Sequence, residues 1–196
     1  MKIFTLPLSL GLALALTSFA RADVIVWTPD LVHSRADFQV AHLIVSKVGG
    51  HIPIESIELT TDTDGLPTHI AAVLDPAHLN TDNQDRDSDL RSATYFDAAT
   101  YPTMVFKGNS MTRTGKDTFT CSGDLTIRGV TKPVVLSGQI QGRVPDRVGE
   151  RAGYTATTTI DRRDFGITDA HLSPMGIPLV GNEVKITLTV EATHPK

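Results

Sequence analysis

The chain has 196 residues, with 18 Lys and Arg against 22 Asp and Glu, a formal charge of −4 and a single cysteine. This acidic balance argues against a protein that holds a polyanion such as nucleic acid by bulk charge. One cysteine excludes an intramolecular disulfide, and the length suits one domain with a sizeable core.

Residues 1–22 have the features of a secretory signal peptide. Lys2 gives a short positive start, a 15-residue apolar run follows, and Ala20–Ala22 form an A-x-A cleavage site. We therefore predict a signal peptide over 1–22 and a single domain over 23–196, in a periplasmic protein that does not span the membrane after cleavage. An extracellular location and an uncleaved membrane anchor are the alternatives that the sequence leaves open.

Apolar and polar residues alternate along most of the remaining chain, which is typical of half-buried strands. In SRADFQVAH this period puts Ala36, Phe38, Val40 and His42 on one face. The Gly49-Gly50 pair is interpreted as a break, after which seven further runs follow: IPIESIEL, HIAAVL, TMVF, TFTCSGDLTI, KPVVLSGQI, GYTATTTI and EVKITLTVEA. About eight amphipathic strands favour an all-β protein, either a closed antiparallel barrel or a sandwich.

One dense polar stretch, QDRDSDLRSATYFDAATYP over 84–102, interrupts this pattern. Asn80 or Thr81 is expected to cap a short helix, because both residue types accept hydrogen bonds from free helical N–H groups. Asp87 and Arg91 are four residues apart and are expected to pair on its surface. The stretch therefore predicts a short helix and an aromatic turn, inserted between two strands at one end or across the wall.

Four blocks of the sequence resemble the YceI-like family: HSRADFQVAHLIVSKVGG, DRDSDLRSATYFDAATYPTMVFKG, GDLTIRGVTKPVVL and IDRRDFGI with LVGNEVKITLTVEA. They occur in the family's order and span nearly all of the chain after residue 22. The resemblance implies a lipocalin-like antiparallel barrel of about eight strands in an exported bacterial protein. Its lumen would hold a long isoprenoid or a similar amphiphilic lipid.

Two positions depart from the family pattern. Asp89 stands where the family usually has His, which replaces a head-group donor with an acceptor and puts the family's head-group contact in doubt. Ile52 stands where an aromatic residue is common, an apolar exchange that would only reshape the lining.

The affinity for such a lipid should come from the lumen, because each buried methylene contributes about 0.8 kcal/mol. The expected lining residues are Phe38, Val40, Leu90, Phe96, Met104, Phe106 and Leu125. Ordinary core packing is the alternative for each of them.

Polar residues should select the head group, and the expected ones are His42, Arg86 and Arg91. A structural role beside Asp87 is the alternative for Arg86. Four Asp against two Arg between residues 82 and 91 leave this segment negative. A neutral, quinone-like head group is therefore at least as well supported as a polyprenyl phosphate or pyrophosphate.

Sequence motifs for catalysis or metal binding are weak. His33, His42 and His51 recur every nine residues, an odd spacing that alternates faces along a strand, so no metal site is expected. Cys121 shares a strand face with Phe119 and is expected to be a buried filler. We predict a binding protein, not an enzyme, without a cofactor other than the lipid. A stress-responsive interaction module, an enzyme acting on an isoprenoid lipid and a homodimer remain alternatives.

Overall fold

The computed structural model describes residues 23–147 and 149–195, so the predicted signal peptide lies outside the described residues. Ten strands form in this part of the chain: β1 Ile25–Pro29, β2 Arg35–His42, β3 Ser46–Ile52, β4 Ile54–Thr61, β5 Pro67–Leu74, β6 Met104–Arg113, β7 Thr118–Ile127, β8 Val130–Asp146, β9 Gly149–Asp161 and β10 Val180–Pro195. The helices are α1, Gln84–Arg91, and two short 3-10 helices, Pro76–His78 and Arg162–Phe165.

The strands form one antiparallel sheet that closes on itself. Its order is β1-β4-β5-β6-β7-β8-β9-β10-β2-β3, and β1 also pairs with β10. β1 and β2 lie end to end along one edge of β10, because β1 pairs with Ala192 and Thr193 while β2 pairs with residues 180–189. β3 and β4 are separated only by Pro53 and also lie end to end, so that together they occupy one strand position of the ring, next to that of β1 and β2. The ring therefore has eight positions, which confirms the predicted barrel and removes the sandwich alternative.

The Gly49-Gly50 pair does not break the chain as predicted, because it lies inside β3 and pairs with Gln39 and Phe38. A Cβ on Gly50 would lie 2.6 Å from the Thr81 methyl group and 2.9 Å from the Phe38 ring. The missing side chain is what lets this ring and the Thr81 segment approach the strand so closely.

The lower end of the barrel, which carries the β4–β5 and β6–β7 turns, is filled by side chains. Trp27 and Tyr154 are 3% and 4% exposed. The Trp27 indole N–H donates to the Thr61 hydroxyl at 2.9 Å, and the Tyr154 hydroxyl donates to the Gly65 carbonyl at 3.2 Å. The Arg143 guanidinium lies 5.3 Å from the centre of the Trp27 ring and covers it. This end is therefore closed by packing and hydrogen bonds.

The segment between β5 and β6 crosses the wall at the upper end, which carries the β2–β3 turn. Asn80 and His51 exchange two backbone hydrogen bonds of 2.9 and 3.0 Å, which fasten the segment to β3. Helix α1 follows and begins after Asn83, whose side chain accepts from the Arg86 N–H at 2.9 Å. The predicted caps, Asn80 and Thr81, are wrong, because both residues belong to the turn that precedes the helix.

Candidate functional site

An apolar cavity of about 130 Å³ occupies the upper half of the barrel. Strands β2, β9 and β10 supply one wall, where antiparallel pairing puts inward residues side by side. Val184 lies opposite Val40 on β2 and opposite Ile160 on β9, and Ile186 lies opposite Phe38. All five side chains line the cavity. Because none of these side chains has a polar atom, this wall offers a ligand only apolar contacts.

The facing wall comes from β6 and β7. Met104, Leu125 and Ile127 line it and are at most 8% exposed. Phe106, which was predicted to line the lumen, is buried but lies outside the lining. It is two residues further down β6, about 7 Å along the strand. Its ring packs over Gly123, 2.7 Å from where a Cβ would be, and so belongs to the packed lower core.

The inserted segment completes the enclosure. Leu90, Tyr95 and Phe96 line the cavity from this side. The Phe96 N–H donates to the Leu90 carbonyl at 3.0 Å, so the chain turns back directly after helix α1 and places both side chains on the cavity. The predicted helix and aromatic turn therefore form part of the cavity wall.

Helix α1 is anchored by charged residues that point away from the cavity. Arg86 donates to the Thr81 hydroxyl at 2.8 Å and to the Thr81 carbonyl at 2.7 Å. Asp87 is buried and accepts from the Thr81 N–H at 2.9 Å and from its hydroxyl at 2.6 Å. The expected pairing of Asp87 with Arg91 is therefore wrong. Arg86 and Asp87 tie the helix to the preceding turn, which was the structural alternative for this pair.

Arg128, at the β7–β8 turn, ties the aromatic turn to the barrel. Its guanidinium donates to the carbonyls of Ala93 at 2.7 Å, of Tyr95 at 3.2 Å and of Gly166 at 3.2 Å. Arg128 has a φ of 51°, and Gly129 follows with a φ of 72°. This turn geometry joins two neighbouring loops at the upper end through one side chain. The sequence showed only a turn at this place, because it is the fold that brings these acceptors together.

Arg162 is the cationic side chain in the cavity wall, and it was not among the predicted site residues. It is 7% exposed and donates to the carbonyls of Gly181 at 3.0 Å, Ile167 at 2.9 Å and Asp169 at 2.6 Å. Three of the five N–H donors of this guanidinium are used in these hydrogen bonds, and the surface that the wall presents to the cavity is apolar. The acceptors are uncharged backbone carbonyls, which leaves its positive charge without a hydrogen-bonded carboxylate among the described residues.

The DRRDFG stretch begins where β9 ends, and its first arginine, Arg162, faces inward. Ile160 faces the cavity from β9, and Arg162 is two residues later on the same face. The outward residue is Arg163, which pairs with Asp161 at 2.5 Å. The two-residue period of β9, continued into the short helix, is the signal that would have identified the inward arginine.

Tyr95 is a second polar group at this end of the cavity. Its hydroxyl donates to the Asp169 carboxylate at 3.0 Å. Burial, together with this hydrogen bond, raises the pKa of Tyr95. Burial also favours protonation of Asp169, but hydrogen bonds from His171 and Tyr95 outweigh it and lower the pKa of the Asp169 carboxyl. Tyr95 therefore stays a neutral hydrogen-bonded phenol beside an ionised Asp169 at neutral pH.

The ten predicted site residues divide into two groups. Six line the cavity: Phe38, Val40, Leu90, Phe96, Met104 and Leu125. Four do not: His42, Arg86, Arg91 and Phe106. His42 ends β2 beside the β2–β3 turn, and Arg91 ends helix α1 with its carbonyl accepting from the Ala98 N–H. The structure thus groups six of the seven apolar candidates around the cavity, and it places Arg162 in the cavity wall and Arg86 outside it.

His33, which was considered for metal binding, lies away from the cavity, next to Ser34. His33 contacts the Asp30 carboxylate at 2.8 Å, and the Ser34 hydroxyl donates to the Glu191 carbonyl at 3.3 Å. Asp30, His33 and Glu191 form a cluster of possible metal ligands. Arg151 already donates to both carboxylates, so the cluster is an ion-pair network that joins β1, β9 and β10.

Within residues 23–147 and 149–195, no helix combines the length and the hydropathy that crossing a bilayer requires.

Comparison with known proteins adds a family match. The YceI-like domain model matches residues 27–192. A UPF0312 protein of Vibrio parahaemolyticus is 31% identical over 168 residues, which cover 85% of this chain and 88% of that protein.

Two solved structures are similar in fold. Burkholderia cenocepacia BcnA superposes with a TM-score of 0.72 at 18% identity, covering 84% of this chain and 99% of BcnA. A polyisoprenoid-binding domain from Saccharophagus degradans gives a TM-score of 0.64 at 15% identity, covering 87% of this chain and 99% of that domain.

Proposed function

The chain belongs to the YceI-like family, and we propose that it is an exported protein that binds the hydrocarbon chain of an isoprenoid or similar amphiphilic lipid in its barrel. The observation that carries this proposal is an apolar cavity with one buried cation, Arg162, in its wall. The fold is shared with a polyisoprenoid-binding domain. The arrangement favours binding over catalysis, and the periplasm is the proposed location.

The cavity sets the size of the enclosed part of the ligand. Its volume of about 130 Å³ is close to that of an engineered apolar cavity, about 150 Å³, that holds benzene. One five-carbon isoprene unit is of similar size. A longer chain therefore requires the wall to open. The inserted segment is one part of the wall without continuous strand pairing, since Asn80 and His51 form an isolated bridge, and the loop before β10, with the isolated Leu172–Pro178 bridge, is another.

Arg162 selects the head group. Three of its five N–H donors are bound to backbone carbonyls, and the other two would suit the oxygen of a carbonyl or a phosphate once the apolar wall opens to expose them. The four Asp residues whose negative charge argued against an anionic head group lie outside the cavity. Asp82, Asp85 and Asp89 are exposed, and Asp87 accepts hydrogen bonds from Thr81. We therefore propose an oxygen-rich head group held at Arg162, with phosphate favoured over an alcohol.

Native mass spectrometry after detergent-free purification tests the lipid site. We expect a lipid of defined mass on the wild-type protein. Val184→Phe adds an aromatic ring to the cavity wall and should remove most of the bound lipid. The matched control is Val135→Phe on the outer face of β8, where the native side chain is 54% exposed, and it should retain the lipid.

Farnesyl phosphate and farnesol test the head group, because they share one chain. Preferential binding of the phosphate is expected. A wild-type protein that purifies empty and takes up neither compound would refute the lipid site, and conversion of either compound would indicate an enzyme.

A further inference from the structure

Two loops at the upper end expose large apolar side chains to solvent. Ile44 and Val45, in the β2–β3 turn, are 79% and 82% exposed. Leu172 and Met175, in the loop before β10, are 57% and 82% exposed. We call these four residues the apolar rim.

The two loops form one surface beside the cavity. The Leu43 N–H donates to the Leu179 carbonyl at 3.0 Å, and the Leu179 N–H donates to the His171 carbonyl at 2.9 Å. Val180 follows immediately, pairs with His42 and lines the cavity. The apolar rim is therefore continuous with the apolar wall of the cavity.

The rim segments carry almost no charge. Residues 40–46 and 167–181 contain Asp169 but no Lys, Arg or Glu, although 20% of the whole chain is charged. The Asp169 carboxylate is bound by Tyr95 and by His171 at 2.6 Å. Few ionised groups of these two loops would lose water if the loops entered an apolar environment.

We propose that the apolar rim inserts into the surface of a lipid bilayer and that the ligand passes between the bilayer and the cavity along it. This inference rests on the proposed function. Four bulky side chains on two protruding loops suit a fluid surface, into which each can enter separately. A lipid chain that leaves a bilayer through this end also avoids crossing water. Because the rim has almost no charge, its binding should depend little on anionic lipids or salt.

Flotation with phosphatidylcholine vesicles tests the contact, using protein purified from the periplasm of an expressing bacterium. Wild-type protein should float with the vesicles at low salt and at about 0.5 M salt alike. The double variants Ile44→Ser with Val45→Ser and Leu172→Ser with Met175→Ser should each lower the bound fraction about fivefold or more. The matched control is Val144→Ser, which replaces a 57% exposed valine at the lower end and should float normally.

The transfer of farnesyl phosphate from vesicles separates this proposal from the lipid site. The rim variants should load several times more slowly than wild type, yet retain the lipid once it is loaded. Equal flotation of wild type and rim variants, or wild-type protein that loads without floating, would overturn the inference while leaving the lipid site in place. If wild-type protein forms dimers and the rim variants are monomers, the rim is a contact with a second copy of the chain, and this result would also overturn the inference. Failure of every variant and of wild type to bind lipid would instead refute the proposed function.

Discussion

Arg162→Ala should destabilise the protein strongly, because this guanidinium joins the start of β10 to the loop that follows β9. Three hydrogen bonds from a charged donor are lost, to the carbonyls of Gly181, Ile167 and Asp169. Such bonds contribute about 1.5 to 3 kcal/mol each, but removing the buried charge also relieves its desolvation cost. We expect a net loss of about 3 kcal/mol in the free energy of unfolding, on the scale of known losses from buried networks.

Urea denaturation followed by tryptophan fluorescence measures this loss, since Trp27 is the only tryptophan of the chain and is 3% exposed. In thermal unfolding the same loss corresponds to a decrease in Tm of about 6 to 12 °C for a protein of this size. The neighbouring Arg163 is the matched control, because its pair with Asp161 is exposed and Arg163→Ala should leave Tm almost unchanged. A loss for Arg162→Ala below about 1 kcal/mol, or equal to that of Arg163→Ala, would refute the structural role that the hydrogen bonds imply.

Three further changes test other parts of the structure. Burial raises the pKa of the Cys121 thiol to about 11. A thiol reagent at pH 8 should therefore modify Cys121 only when the protein unfolds. Rapid labelling of the native protein would contradict the buried position of this thiol. The hydrogen bond that His33 donates to the Asp30 carboxylate raises the pKa of His33 above its usual 6.5. The stability that this pair contributes is therefore present below that pH and is lost as the pH rises through the folded-state pKa. The Tm of His33→Gln should lack this part of the wild-type pH dependence, and identical pH profiles for the two proteins would contradict the prediction. A disulfide between His51→Cys and Asn80→Cys should fasten the inserted segment to β3. The oxidised double variant should then bind long isoprenoids much less tightly than its reduced form. Equal affinity of the two forms would show that the isoprenoid enters the barrel elsewhere.

The barrel could be predicted from the sequence because its strands alternate locally. Phe38 and Val40 face inward through the two-residue period alone, and the same period holds along β7, where Cys121 and Leu125 are buried. β1 and β3 were missed, since β1 has only five residues and β3 contains Gly49 and Gly50. Pairing with neighbouring strands, and not local propensity, makes these two segments strands.

The polar end of the site could not be predicted from residue types. Arg86 and Arg162 both occur in charged stretches of the sequence, and composition gives no reason to prefer one. Their roles depend on acceptors that only the fold brings near: the Thr81 turn for Arg86, and the carbonyls of Gly181 and Ile167 for Arg162. Gly166, with a φ of 75°, ends the short helix after Arg162 and returns the chain so that Ile167 reaches it.

The small volume of the cavity limits the binding free energy that it can provide to a lipid. One isoprene unit in a cavity of about 130 Å³ gains about 4 kcal/mol, and a hydrogen bond from Arg162 adds about 2 kcal/mol. Together they correspond to a dissociation constant of tens of micromolar, roughly, before ordering costs are counted. The lower end cannot lengthen the cavity, because Trp27 and Tyr154 are packed and hydrogen-bonded there. Tighter binding of a long chain therefore requires displacement of part of the upper wall, such as the inserted segment. In the proposed lipid site, the energy of that displacement, set in part by the His51–Asn80 bridge and the Arg128 contacts, would then set the preferred chain length.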